Sequence, residues 1–376
     1  MARNRVIYQS EALFAGPDIA TNTSGVSGAH TAANVKQIQR VQSCNYSFNI
    51  DRQDVNQFGE LAAIDRVILA SPTVSLDFQY LVANLVNEKN LGFTMSTSGA
   101  GVSCISGFLA KTTDERNYFI KTTAEGTDAL GTAQTVTNQS VIGLGNGFIT
   151  NYSAEGSVGN FPTASVTIEA LNMNMVSAPT GAGGFPLPCV NSTDGSIVSV
   201  SGVIPTATTN AGTDSVSALR PGDVTVTITE TATTSGDMPS DYFGASIADA
   251  KIQSYNFGVD LARTPLEKLG SKFAFSREIN FPLEVTCAIE ANIGDLTTGN
   301  LANTIVSDKS YDITVKIKHP TGVAIQAAYI LRNAKLVSQD FSSSIGDSKS
   351  VSLNWSTQIG GPGQANIGFF LSGVSV

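Results

Sequence analysis

The residues of this sequence that could carry out chemistry are a few carboxylate pairs. Glu284 and Glu290, and Asp51 and Asp54, are spaced so that two carboxylates could act as acid and base in glycoside hydrolysis. These acids alternate with apolar residues or lie beside an expected turn, where solvated side chains are usual. The pattern therefore favours surface acids over a catalytic pair.

A glycine-rich stretch, "GLGNG" at residues 143–147, resembles a phosphate-binding loop only superficially. It lacks the lysine and the strand-to-helix setting that such a loop needs, so we predict a turn before a strand that starts at Phe148. The sequence has no G-x-S-x-G motif, and its two histidines, His30 and His319, lie in loop-like settings that do not suit a Ser-His-Asp triad. We expect a protein that is not an enzyme and has no catalytic residue.

The four cysteines, Cys44, Cys104, Cys189 and Cys287, lie far apart and include no C-x-x-C pair. A structural zinc site needs four closely paired nitrogen or sulfur ligands. We therefore expect no metal and no cofactor. Cys44 and Cys287 fall on the apolar phase of their strands, which predicts buried, reduced thiols.

Composition restricts the partners of the chain. Only 14% of its 376 residues are charged, against about 25% in ordinary domains, and the net charge of −9 disfavours binding to nucleic acid or anionic membrane. The longest apolar region, residues 67–86, contains Pro72 and Asp77 and cannot supply a membrane span of about 20 apolar residues. No export signal is recognised at the amino terminus, so we expect a soluble protein made in a cytoplasm.

The chain repeats itself. "VQSCNYSFNIDRQDVNQFGELAAI", residues 41–64, matches "IQSYNFGVDLARTPLEKLGSKFAF", residues 252–275, with a constant separation of 211 positions. The residues shared at this separation are Gln42 and Gln253, Ser43 and Ser254, Asn45 and Asn256, Arg52 and Arg263, Gly59 and Gly270, and Arg66 and Arg277. We call the half of the chain that contains residues 41–64 copy one and the half that contains residues 252–275 copy two.

The two copies match again near their ends. "NYSAEGSVGNFPTASVTI", residues 151–168, pairs with "SQDFSSSIGDSKSVSLNW", residues 338–355, at a separation of 187. Since 211 minus 187 is 24, copy one holds about that many extra residues. We place them in Asp114–Gln139 and expect a surface loop there, because long surface insertions cost little.

Each copy opens on an alternating strand. Cys44, Tyr46 and Phe48 point one way while the polar residues between them point the other, and Tyr255 and Phe257 repeat the apolar row. Similar alternation recurs in the later strands of both copies. One apolar face per strand favours sheets that pack on a core.

The segment after each opening strand reads as a short helix or turn. Thr264 and Glu267 have capping-box spacing around Pro265, and copy one approximates the pattern with Asp54 and Gln57. We expect Gly59 and Gly270 to adopt the left-handed conformation that ends such a turn.

These patterns predict an all-β protein with short helices, built from two tandem β-sandwich or barrel domains. We divide the chain into a first domain at 1–178, a linker or loop rich in Gly, Pro, Ser and Thr at 179–218, and a second domain at 219–376. The first domain includes an N-terminal arm at Gln9–Val35. Long irregular segments of this kind are usually functional arms or mobile.

The repeated segments resemble a known family. The opening strand, the following "DVNQFGELAAIDR" or "TPLEKLGSKFAFSRE", and the closing "GSVGNFPTASVTIEA" or "SSIGDSKSVSLNWST" resemble the major tail tube proteins of tailed bacteriophages. The resemblance covers both copies and thus most of the chain. It transfers no catalytic motif.

The resemblance implies an assembly. Tail tube proteins share a β-sandwich whose inner sheet joins its neighbours into a closed barrel, usually with six domains per ring. A duplicated chain then implies a trimeric, pseudo-sixfold ring, stacked into a conduit for phage DNA, assembled in the host cytoplasm and located in the virion. The implied partners are copies of this chain and other tail proteins: the terminator, the baseplate or tip, and the tape measure or sheath. DNA passes through without specific binding, and no membrane insertion is implied.

Under this hypothesis acids on polar strand faces line the lumen and repel phosphates. The candidate lumen-lining acids are Asp51, Asp77, Glu169, Glu284 and Glu290. Gln9–Val35 and Asp114–Gln139 are expected to make contacts between rings or subunits.

A tandem β-sandwich adhesin, receptor-binding protein or other virion structural protein is the alternative. Low charge and loops rich in Ser, Thr and Asn suit carbohydrate contacts as well. However, the loops hold few aromatic residues, and the single tryptophan, Trp355, falls on an apolar strand phase.

Overall fold

The computed structural model gives an all-β protein. It describes residues 10–17, 35–69, 72–96, 101–123, 128–130, 139–177, 185–190, 197–202, 219–231, 251–270, 274, 276–293, 309–320, 324–345, 348–364 and 367–373. These residues form mainly antiparallel sheets and two short α-helices. The expected all-β class is confirmed.

Eight strands form one continuous antiparallel layer, the eight-strand sheet. In spatial order they are β3 (Val41–Asn49), β6 (Thr73–Leu81), β9 (Thr163–Ala170), β8 (Gln139–Ser157), β14 (Lys251–Asp260), β17 (Leu283–Asn292), β20 (Ser350–Ile359) and β19 (Ile325–Ser342). The first four strands belong to copy one and the last four to copy two. Direct pairing of β8 with β14 joins the two copies.

Two outer sheets share the long strands β8 and β19 with this layer. The outer sheet of copy one contains β2 (Lys36–Gln37), β1 (Glu11–Pro17), β7 (Arg116–Thr123), the first half of β8, and β10 (Asn172–Ser177). The outer sheet of copy two contains β13 (Val224–Glu230), β18 (Tyr311–Lys318), the first half of β19, and β21 (Gly368–Ser372). Each long strand thus passes from an outer sheet into the eight-strand sheet.

The crossing point is marked in the same way in both long strands. Asn146 in β8 and Asn333 in β19 both have positive φ, +54° and +56°, a conformation that asparagine tolerates better than most residues. They lie 187 positions apart, the separation of the closing segments. The order β3, β6, β9, β8 also recurs as β14, β17, β20, β19, so strand order and backbone conformation follow the sequence repeat.

The helix expected after each opening strand is absent from the described residues, whereas the expected turn forms at Phe58–Gly59 and at Leu269–Gly270, each within a β-hairpin. Copy one forms a β-hairpin, the first hairpin, from β4 (Arg52–Val55) and β5 (Asp65–Ile68). Copy two forms the second hairpin from β15 (Arg263–Leu266) and β16 (Ser276–Ile279).

Residues of the expected capping box are part of the second hairpin instead. Thr264 donates a hydrogen bond to the Asn280 side chain at 2.7 Å, and Pro265 lies inside a strand. The expected left-handed glycines are confirmed, because Gly59 and Gly270 have φ of +96° and +85°.

The extra residues of copy one do not form the single surface loop that we expected at Asp114–Gln139. That range contains β7, a mostly buried strand with a counterpart in β18. The extra length is divided between the β6–β7 connection, residues 82–115, and the β7–β8 connection, residues 124–138. The first of these carries α1 (Val86–Leu91) and α2 (Ser106–Leu109).

The expected turn at residues 143–147 is also wrong. These residues lie within β8, which continues without interruption through Phe148. Gly147 is a site of close packing, since a Cβ added there would lie 2.8 Å from the Tyr118 ring. The stretch is therefore strand rather than turn.

Parts of the expected arm and linker are ordered strands. Within Gln9–Val35, β1 pairs along its length with β7, while residues 18–34 lie outside the described residues. Within 179–218, β11 (Phe185–Val190) pairs with β12 (Ile197–Gly202). The domain boundaries remain predictions.

One apolar cluster extends through both copies between the eight-strand sheet and the layers above it. The sheet contributes the apolar row of each strand, including Phe78, Val166, Phe257 and Trp355, each at most 3% exposed. Burial on this scale accounts for most of the favourable free energy of such a fold.

This core contains one buried carboxyl group. Glu88 of α1 is fully buried, and its Oε1 accepts hydrogen bonds from the hydroxyls of Tyr80 (2.8 Å) and Tyr152 (3.1 Å). Oε2 is buried with no hydrogen-bond partner. Burial raises the pKa of Glu88 to about 7, although both tyrosine hydrogen bonds oppose the shift.

Replacing Glu88 by glutamine should change how stability depends on pH. A carboxyl whose pKa is raised on folding stabilises the fold fully only below its unfolded pKa, and that stability is lost as pH rises toward 7. We expect E88Q and the parent chain to be equally stable near pH 4. At pH 8 the variant should be more stable by about 3 kcal/mol.

Denaturant unfolding of dilute protein from pH 4 to 8 measures this difference. Glu155→Gln, at an exposed glutamate of β8, is the control and should follow the parent curve. Parallel curves for E88Q and the parent would contradict the assignment of the buried charge.

Candidate functional site: the polar face and the open edges of the eight-strand sheet

The face of the eight-strand sheet that turns away from the core carries mainly small polar side chains. One row crosses all eight strands in register: Ser43, Gln79, Ser165, Ser153, Gly258, Thr286, Ser356 and Lys335. The row arises because successive side chains of a strand point to opposite faces, so the residues between core positions form one surface. We call this surface the polar face.

Four of the five predicted lumen acids lie on the polar face. They are Asp77 in β6, Glu169 in β9, and Glu284 and Glu290 in β17. The strand position expected for Asp51 is wrong: this residue is exposed and follows the end of β3, at the base of the first hairpin.

Three further acids on this face were missed. Glu155 in β8, Asp260 in β14 and Asp340 in β19 occupy the same strand phase. The signal was present, because Asp260 continues the polar phase between Val259 and Leu261. With these, seven carboxylates and two amines, Lys251 and Lys335, lie on the described part of the polar face.

Both ends of the eight-strand sheet are edges. Among the described strands, β3 pairs only with β6, and the second half of β19 pairs only with β20. Phe48 of β3 is 59% exposed, whereas its copy-two counterpart Val259 is 1% exposed. Phe341 of β19 is 36% exposed, and its copy-one counterpart Ala154 is 1% exposed. Apolar positions that are buried at the junction of the copies are therefore uncovered at the edges.

The β3 edge lacks two of the devices that usually protect an edge strand, a charged side chain and a proline. Its nine residues, VQSCNYSFN, include no charge and no proline, although natural edge strands commonly carry one or the other. Unpaired backbone groups along such a strand can pair with another chain.

The junction of the copies shows how an edge of this kind is covered. β14 pairs with β8 from Ser254 opposite Ser157 to Asp260 opposite Asn151. The second hairpin of copy two then extends over copy one.

Charged contacts fix that hairpin in place, and we call them the clamp. Arg263 forms two hydrogen bonds with Asp114, and Arg277 pairs with Glu169 at 2.9 Å. Both guanidinium groups lie over the Phe148 ring, at 4.7 and 5.9 Å from its centre. The side chains of Arg263 and Arg277 are only 2% and 6% exposed.

Burial dominates the electrostatics of the clamp. It lowers the pKa of Arg277, and Glu169 opposes that shift. It raises the pKa of Asp114, and Arg263 opposes that shift. Each charge is thus removed from water and compensated by its partner, so loss of one partner leaves a costly buried charge.

Phe148 and Glu169 form the surface under the second hairpin, which we call the platform. Among the described residues, no such platform covers the first hairpin. All residues of β4 and β5 are exposed, and its Arg66 pairs with Asp54 of the same hairpin at 2.6 Å. Its tip carries Phe58 and Leu61, both fully exposed.

The described residues show no other candidate centre of chemistry. No group of three or more His, Cys, Asp or Glu side chains among them is placed to hold a metal ion. Cys104 and Cys287 are buried and Cys44 is half-buried, and burial raises the pKa of Cys44 to about 12, which keeps it a thiol. No helix among the described residues is long and apolar enough to cross a membrane.

Comparison with known proteins gives only distant structural likeness. No protein-family model matches the sequence, and no curated protein matches it. A chain from the cryo-EM structure of the anti-feeding prophage (AFP) baseplate, 6-fold symmetrised, is similar over 47% of this chain and 99% of that chain, with 11% identity and a TM-score of 0.29.

A chain from the tail of an empty GTA particle, computed with helical refinement in C6 symmetry, is similar over 44% of this chain and 96% of that chain. Its identity is 12% and its TM-score 0.25. Scores of this size carry no argument about function.

Replacing Arg277 by alanine should destabilise the chain. The change removes the pair with Glu169 and the contact with Phe148, so we expect the free energy of unfolding to fall by about 2 kcal/mol. Arg66→Ala is the matched control, because Arg66 is the copy-one counterpart and its side chain is 70% exposed. Denaturant unfolding of dilute protein should show little change for R66A, and equal losses for both variants would argue against a structural clamp.

Proposed function

We propose that this chain is a structural virion protein, the tail tube subunit of a tailed bacteriophage, which assembles into rings that stack into a conduit for phage DNA. The observation that carries the proposal is the equivalence between the junction inside the chain and the two open edges. β19 is the counterpart of β8, and β3 is the counterpart of β14. An edge-to-edge contact between chains thus repeats a pairing that the chain already makes.

Repetition of this contact leads to ring closure. Each chain supplies two sheet units of four strands, and the same junction at every position arranges the units head to tail. Three chains supply six units, the number per ring that the resemblance to tail tube proteins implies. Closure leaves no edge strand open.

The polar face then lines the lumen. The other face of the eight-strand sheet is covered by the core and the outer sheets, so the polar face is the one left for the inside of a barrel. Its carboxylates outnumber its amines, and close to the wall they repel DNA phosphates, within a screening length of about 8 Å. The small neutral side chains between them provide few strong contacts, so DNA passes without specific binding.

The same proposal sets the partners and location. The chain is located in the virion after assembly in the host cytoplasm. Its partners are further copies of itself and, at the ends or surface of the tube, other tail proteins. No catalytic residue takes part.

Electron microscopy of concentrated protein tests the proposal. We expect rings or stacked tubes, and mass measurement of single rings should give three chains with pseudo-sixfold density. Persistent monomers that bind glycans would instead support the adhesin. Closed rings of six chains would contradict the trimer.

The register between chains can be tested by cross-linking. Gly258 faces Ser153 inside the chain, so the repeat places Ser47 of one chain opposite Asp340 of the next. Facing residues in antiparallel strands lie about 4.5–5.5 Å apart, within reach of a disulfide. In a Cys44→Ser background, S47C with D340C should therefore form covalent multimers up to trimers on oxidation.

S47C with Ser344→Cys is the control, because this pair is out of register and should remain largely unlinked. Equal cross-linking of both pairs, or none in chains that form rings, would contradict the register.

A further inference from the structure

The two kinds of junction in the proposed ring differ in charge. Inside the chain the platform of copy one supplies Phe148 and the acid Glu169, which face each other across β8 and β9. The copy-two counterparts are Lys335 and Ser356, which face each other across β19 and β20 in the same way. The platform exposed at the chain's edge has therefore lost an acid and gained an amine.

The hairpins differ in the opposite sense. The second hairpin and its base have Pro265 and Ala262 where the first hairpin and its base have Asp54 and Asp51. The arginines are kept, since Arg66 matches Arg277. The first hairpin has thus gained two acids, and Asp54 lies on the same hairpin face as Arg66, as Arg277 lies beside Pro265.

We infer that the first hairpin docks on copy two of a neighbouring chain through a charge-reversed clamp, in which Asp54 lies between its own Arg66 and the neighbour's Lys335. This inference rests on the proposed ring and adds the residues that select its partner surface. Inside the chain the platform supplies the acid that meets the hairpin arginine. Between chains the hairpin supplies that acid and the platform supplies a base.

The reversal makes the two platforms poor substitutes for each other. A first hairpin placed on a copy-one platform would bring Asp54 toward Glu169, and a second hairpin placed on a copy-two platform would bring Arg277 toward Lys335. Both are contacts between like charges, which disfavour a wrong partner. The charges thereby direct copy one of one chain to copy two of its neighbour. A closed ring needs this arrangement.

The residues involved lie at the surface of the isolated chain. The side chains of Asp54 and Arg66 are 43% and 70% exposed, and Lys335 is exposed on β19. Substitutions at these positions therefore leave the core untouched.

Charge reversal in one and then both partners tests the inference. Asp54→Lys alone and Lys335→Glu alone should each weaken ring formation by at least about tenfold, as measured by mass photometry over a protein dilution series. The double variant D54K/K335E should recover most of the loss, because the pair is restored with opposite polarity. Asp65→Lys reverses an exposed acid on the other face of the same hairpin and should assemble like the parent.

Circular dichroism and thermal unfolding of dilute protein check that every variant folds. Parent rings with no effect of either single reversal, or no recovery in the double variant, would overturn the inference and leave the proposed ring intact. A parent chain that forms no rings would overturn both.

Discussion

Backbone hydrogen bonding at the ends of the eight-strand sheet is the constraint on which the rest of the structure depends. A strand inside a sheet satisfies its amide and carbonyl groups on both sides, whereas an edge strand leaves one row open. At the junction of the copies this row is satisfied by β8 against β14. At the two ends, β3 and β19 keep the same geometry and expose apolar residues that are buried at the junction. The sheet thus contains one junction at which these backbone groups are paired and two edges of the same geometry at which they are open.

The two copies share a backbone plan but differ in surface. Asn146 and Asn333 have positive φ at equivalent points of the long strands, and the same strand order recurs in both copies. The hairpins and platforms then diverge: Arg277 is buried on copy one, whereas Arg66 is paired with its own hairpin. The two repeats are therefore equivalent in strand order but unequal in the surfaces that their hairpins and platforms present. On the polar face some neutral residues recur in both copies, as Ser43 does at Ser254 and Asn45 at Asn256, whereas the acids do not, as Asp77 stands opposite Ala288 in the repeat.

The sequence was most informative where a pattern is local or periodic. Strand alternation and the repeat together predicted the core rows and the left-handed Gly59 and Gly270. Short exposed hairpins were missed, because Pro265 and its neighbours satisfy the local signals of a helix start as well as those of a strand, and only pairing across the hairpin decides. The clamp between Arg277 and Glu169 joins residues far apart in the chain, so no local pattern reveals it. The acids were predicted by phase, which succeeded on continuous strands and failed for Asp51, where the strand had already ended.

Amide hydrogen exchange, compared between dilute single chains and assembled protein, measures edge-to-edge pairing strand by strand. Pairing of β3 with β19 of a neighbouring chain predicts that amides of these two edge strands exchange slowly after assembly, at rates approaching those of β14 and β8, while the β8–β14 junction is protected in both states. Assembled protein in which the amides of β3 and of the second half of β19 still exchange as fast as in the single chain would contradict edge-to-edge pairing.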